Sequence, residues 1–162
     1  DPELAINRAL KTYLQKGYSP EWINQRLKSI EIRKALTDEW ETRGVKEGLE
    51  FAILTDEITK AWTGLTTKAY KRLKDLKKEN LRDNMTNLEL VLNMLAETAT
   101  TEISQKREPK NLDENKVVAR EGGSIAGNAR KQIEVKTGKG VITGKNARKL
   151  SAKNGVKKQF SR

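Results

Sequence analysis

From Phe51 to Ile103 the apolar residues recur at helical intervals, and the gaps between them carry helix start and stop chemistry. Phe51, Leu54, Ile58, Ala61 and Trp62 fall at three- and four-residue steps, which puts them on one face of a helix. Gly64 follows Trp62 closely, as a left-handed stop does. Thr66 or Thr67 then caps a helix expected to run over Thr67–Arg82, with Tyr70, Leu73 and Leu76 facing inward. Thr86 with Glu89 three residues on makes a capping box. Behind it Leu88, Val91, Leu92, Leu95, Ala99 and Ile103 form a long apolar stripe, expected to be a central core face. Amphipathic helices in this density bury their stripes against one another. The expected fold is therefore all-α and bundle-like, with six to eight helices and a basic C-terminal arm.

The flanking segments are punctuated in the same way. Asp1 and Pro2 open a helix carrying Leu4, Ile6, Ala9, Leu10, Tyr13 and Leu14, and Gly17 ends it. Ser19 and Pro20 start a second, with Trp22, Ile23, Leu27, Ile30 and Leu36 as its apolar contacts and a break expected near Thr37–Asp38. Gly44 and Gly48 bracket a turn. After Pro109 a helix from about Asp113 is expected to yield at Gly122–Gly123 and to restart near Ser124, ending at Gly138. The same glycines also suit a close approach between helices. Val141 and Ile142 form at most a short extended piece, and no alternating pattern elsewhere is long enough for a sheet. Trp22, Trp40 and Trp62 read as core anchors rather than ligand platforms.

Charge is distributed unevenly. The chain carries a formal +11, and residues 128–162 hold eleven Lys and Arg against the single acid Glu134. Residues 1–127 hold 22 against 21, so a nearly neutral body carries a basic tail. Its cations Lys145, Arg148, Lys149, Lys153, Lys157 and Lys158 suit phosphate neutralisation without sequence readout. Lys71, Lys74 and Lys78, expected on the outer face of the Thr67–Arg82 helix, offer a second phosphate-tracking surface. The solvated exterior of an ordinary amphipathic helix accounts for that second pattern equally well. Phe160 is the tail's only aromatic residue, so a stacking platform for single strands is not indicated.

Several function classes have little support. There is no Cys and no His, which removes disulfides, thiolate sites, the usual zinc ligand and every Ser-His or Cys-His nucleophilic pair. The tight acidic clusters are Asp56–Glu57 and Asp38, Glu39 and Glu41. They lack the spacing of a carboxylate nuclease and read as helix-face charges. Gly122–Arg130 (GGSIAGNAR) lacks the spacing of a phosphate-cradling loop. No apolar run approaches a membrane span. No catalytic residue, metal ligand or cofactor is expected.

The central block resembles the C-terminal half of the DNA-damage-inducible protein D family, relatives of the Bro-N phage antirepressors. The matching residues are Phe51–Ile53, Leu76–Lys78, Asp83–Met85, Glu89–Leu90, Asn93 and Ala96–Thr98, with a weaker echo over Gly122–Ile142. Tyr18–Trp40 resembles a connecting region of related prophage proteins. The resemblance implies a non-enzymatic regulator of DNA metabolism in a prokaryotic or phage cytoplasm, associated with the nucleoid. Its partners would be DNA, a recombinase–DNA filament or a repressor protein. It also implies a Bro-N-type domain ahead of this region, so the start DPELAIN reads as that of a fragment. The expected division is a connecting segment over 1–48, a helical domain over 49–143 and a basic tail over 144–162. A protein-interaction or oligomerisation module without direct DNA contact is the alternative.

Overall fold

A computed structural model describes residues 2–147. Six α-helices account for nearly all of the regular structure: α1 (Pro2–Gln15), α2 (Pro20–Thr42), α3 (Leu49–Thr63), α4 (Thr67–Leu73), α5 (Asn87–Arg107) and α6 (Leu112–Thr137). A 3-10 turn at Arg82–Asn84 precedes α5, and there is no strand among the described residues, Val141–Ile142 included. None of the helices described is long and apolar enough to cross a membrane.

The helix starts follow from their caps. Ser19, Thr66, Thr86 and Asn111 each accept from a backbone N–H in the first turn of the helix they precede, and Thr86–Glu89 form the complete capping box. Asp1 lies outside the described residues.

Four helices make a bundle of two antiparallel hairpins, α2–α3 and α5–α6. Trp40 meets Phe51 within the first hairpin, at 5.3 Å between ring centroids. The α2 residues Trp22, Arg33 and Glu39 bond in turn to Met85, Glu97 and Ser104, so α2 and α5 run parallel. Arg120 reaches Glu57 and Arg130 reaches the Trp62 carbonyl, so α3 and α6 do too. Leu36, Trp40, Leu54, Ile58, Trp62, Tyr70 and Leu90 fill the centre.

The start of the chain is fastened to the turn before α5. Tyr13, Tyr18 and Trp22 cluster, with Tyr18 stacked on Trp22 at 4.0 Å. Tyr13 donates to the Asp83 carboxylate, Tyr18 to the Asp83 carbonyl, Trp22 Nε1 to the Met85 carbonyl and Arg26 Nε to Asp83. The Asp83–Met85 run is thus a structural clasp.

Four expectations fail, each for a physical reason. Helix α2 does not break at Thr37, whose hydroxyl donates back to the Lys34 carbonyl and leaves the ladder intact. Helix α4 stops at Leu73, well short of Arg82. Asp75 takes φ +60° and the Leu76 N–H closes onto the Lys71 carbonyl, a left-handed stop made without glycine. Leu73 is consequently exposed, while Leu76 turns back into the core.

Helix α6 runs unbroken through Gly122–Gly123, because both lie where it crosses its neighbours. A Cβ on Gly122 would stand 2.0 Å from Thr100 Oγ1, and one on Gly123 would stand 2.6 Å from the Ala61 Cβ. Lastly, half of the expected core stripe of α5 is outside. Leu88, Val91 and Leu95 are each 39% exposed, and of the leucines in that stripe only Leu92 is buried.

Candidate nucleic-acid interface

The buried face of α5 carries Glu89, Asn93, Ala96, Glu97, Thr100 and Ser104, mostly at four-residue spacing. Carboxylates there require charged partners, and neighbouring elements supply them. Glu97 accepts from Arg82 Nη1 at 2.7 Å and from Arg33 Nη1 at 3.0 Å, and Asn93 adds a bond at 3.2 Å. Burial works to raise the Glu97 pKa, but the two guanidiniums outweigh it and hold the carboxyl below the usual range. One carboxylate against two guanidiniums leaves this cluster with net positive charge. Arg33 also donates to Thr55 at 2.8 Å and lies over the Trp40 ring.

Glu89 organises the second cluster. Besides capping Thr86, its carboxylate accepts from the Tyr70 hydroxyl and from Lys74 Nζ. Lys74 is fully buried, so it does not join Lys71 and Lys78 on an outer face and presents no charge to a phosphate. That expectation rested on a helix longer than the one α4 makes. Burial depresses the Lys74 pKa against the pull of Glu89. Burial together with the Glu89 charge raises that of Tyr70.

Lys74 also holds the segment after α6 in place. Its ammonium donates to the Lys145 carbonyl, and Asn146 Nδ2 donates to the Lys74 carbonyl at 3.3 Å. At the other end of the segment the Val141 N–H donates to Glu134 at 2.9 Å, while Arg130 holds that carboxylate at 2.7 Å. Val141 and Ala147 are buried. The start of the basic region is thereby laid against α4.

Around this junction Lys68, Arg72, Lys77, Lys78 and Lys145 are exposed and Lys71 is half-buried. None of the six forms an ion pair among the described residues. Lys68 and Lys71 also line a groove of about 900 Å³ between α2, α3 and α4, with Arg33 and Phe51 on its other side. The fold therefore brings Lys145 to the end of the molecule that carries Lys71 and Lys78. Arg148, Lys149, Lys153, Lys157 and Lys158 lie outside the described residues.

Four of the five residues of the acidic clusters are held by donors or cations of the fold. Asp38 accepts from Lys34, Glu39 from Arg43 and Ser104, Asp56 from the Thr67 N–H, and Glu57 from Arg120. Among the described residues no group of three or more acidic side chains is placed to hold a metal ion.

Sequence reasoning missed the inward-facing ion cluster of Arg33, Arg82 and Glu97, and it placed the buried Lys74 on an outer face. A signal was present: Glu89, Asn93 and Glu97 recur every fourth residue, a polar stripe as regular as the apolar one beside it. Comparisons with protein-family models, with curated proteins and with solved structures find no match for this chain.

Proposed function

We propose that this chain is a non-enzymatic, nucleic-acid-binding module of a regulator of DNA metabolism. It would grip the phosphate backbone with α4 and the basic segment that begins at Lys145. The observation carrying the reading is the Lys74 tether. A buried ammonium fixes the root of the basic segment beside Lys71, Arg72 and Lys78, so two separate stretches of cations act on one ligand. The resemblance to the damage-inducible protein D family points the same way. It adds a duplex or a recombinase–DNA filament as the ligand, and it places the reading in the cytoplasm at the nucleoid.

Fluorescence anisotropy on duplexes of unrelated sequence tests this. Binding should be weak and indifferent to sequence. With about four phosphate contacts the log–log salt slope should be near −4, at about −0.9 per contact. Changing Lys71, Lys78, Lys145 and Arg148 to Gln should flatten the slope and leave the circular dichroism unchanged. Equal binding by the quadruple variant, or no binding at low salt, would move the preference to a protein-interaction module. The half-exposed apolar face of α5 is the observation that favours that second reading.

A further inference from the structure

Leu88, Val91 and Leu95 stand in one row along the outside of α5. On the adjoining face of α6, Ile125 is exposed and Ala129 and Ile133 are half-buried. Leu95 and the α6 row border an open groove of about 460 Å³ whose other lining groups include the neutral amides of Asn128 and Gln132. No charge interrupts α5 on this side, because Glu89 and Glu97 point inward to their cations. The surface is a two-helix apolar face that the monomer leaves uncovered.

Glu121, one turn before Ile125, is paired with Arg107, and the charges of this face that form no ion pair among the described residues sit at opposite ends. Glu102 continues the α5 row at the seven-residue interval set by Leu88 and Leu95, and Lys136 ends the α6 row. Both are exposed, and neither forms an ion pair among the described residues. Gly122 packs at the level of Thr100 in the antiparallel pair. At 1.5 Å per residue, that register puts Lys136 about 24 Å from Glu102 along the helices, with the midpoint within about 2 Å of Leu95.

We propose that this face pairs with the same face of a second copy. The two-fold axis passes near Leu95, so Glu102 of each copy meets Lys136 of the other. The charge arrangement selects this occupant. With the two-fold axis in the plane of the face and running across the helices, an isologous contact turns each end onto its opposite end, which here means acid onto base twice over. The patch is about 24 Å long and two helices, about 20 Å, wide. Its projected area of roughly 480 Å² sits below the 800 Å² or so per partner of a standard interface. The dimer is therefore weak and concentration-dependent. It leaves the α4 surface open and is independent of the nucleic-acid reading.

Sedimentation velocity on the full chain, from low micromolar to several hundred micromolar, tests the pairing. The weight-average mass should rise toward that of a dimer. Leu95→Glu and, separately, Ile125→Glu should hold the chain monomeric with unchanged helicity. Glu102→Lys and Lys136→Glu should each weaken the dimer by about three- to tenfold, since two exposed pairs are lost per dimer. The double reversal Glu102→Lys/Lys136→Glu should restore it. A chain that stays monomeric throughout overturns the proposal, as does a dimer untouched by both Leu95→Glu and Ile125→Glu. A double reversal as weak as the singles overturns the two-fold register.

Discussion

Helices α3 and α5 look alike in the sequence, each with apolar residues at helical spacing, yet α5 buries a row of charged and polar residues beside Leu90, Leu92 and Met94 that has no counterpart in α3. In α3 the apolar row goes inside: Leu54, Ile58 and Trp62 are all essentially inaccessible. In α5 the polar row goes inside and half of the apolar row is left out. What differs is what each helix faces. Helix α3 meets rings and aliphatic side chains; Trp62 sits edge-on to Tyr70 at 6.3 Å. Helix α5 lies where α2, α4 and the Arg82–Asn84 turn bring Arg33, Lys74 and Arg82 inward, and where α6 comes too close at Thr100 for a large side chain. Amphipathicity says that a helix has two faces. The neighbours decide which one is buried.

The contrast breaks most sharply at Glu97. Glu97→Ala leaves Arg33 and Arg82 facing each other without a counter-charge and should cost about 3–5 kcal/mol in urea unfolding at neutral pH. The pH dependence follows from the same contact. The Glu97 carboxyl is depressed below its ordinary 4.5 in the folded state. Its contribution is therefore fully present above about pH 4.5 and is lost as pH falls through the lower folded value. Wild type should lose stability on acidification more steeply than Glu97→Gln in that window. Parallel acid curves, or a Glu97→Ala loss under about 1 kcal/mol, would show that the polar face is tolerated rather than stabilising.

The next break is at the crossing of α5 and α6. A Cβ at Gly122 would lie 2.0 Å from Thr100 Oγ1 and 2.7 Å from the Thr100 backbone, so Gly122→Ala must push the helices apart. Overpacking of this kind costs about 1–3 kcal/mol, against a gain of about 1 kcal/mol in helix propensity. The net effect should be a loss. Ser124→Ala, exposed on the same helix, is the control and should change little. If Gly122→Ala raised the urea midpoint, α6 would have room to spare and the buried small face of α5 would need another cause.

Much of this architecture was legible. The caps at Ser19, Thr66 and Thr86, the stop at Gly64 and the core roles of Trp22, Trp40 and Trp62 all follow from local chemistry, and they set the all-α class. Three things were not legible, two of them because they depend on contacts distant in sequence. Gly122–Gly123 reads as a break until Thr100 and Ala61 are seen against it. The stop after α4 falls on Asp75, a residue that carries no left-handed signature as glycine does. The buried face of α5 becomes the stable one only once a cation from 64 residues upstream and one from the preceding turn are placed on it. For the candidate site, Lys145, Lys71 and Lys78 were named from charge alone. Lys74 was named for the wrong work, since only the fold reveals it as a buried tether.

The smallest expected effect sharpens the comparison from the outside of α5. Leu95 would be a core residue if α5 behaved like α3, and Leu95→Ala would then cost about 2–5 kcal/mol, the range for a buried leucine. At 39% exposure it has already kept much of its surface in water. Leu95→Ala should therefore lower stability by no more than about 1 kcal/mol in dilute solution, where copies do not meet. Leu92, one turn earlier and 3% exposed, gives the buried-leucine yardstick on the same helix. Paired urea titrations of Leu92→Ala and Leu95→Ala, at low and at high protein concentration, separate the two causes of a loss. A Leu95→Ala deficit that appears only at high concentration belongs to contact between copies. An equal and concentration-independent loss for both variants would return Leu95 to the core and make α5 the counterpart of α3.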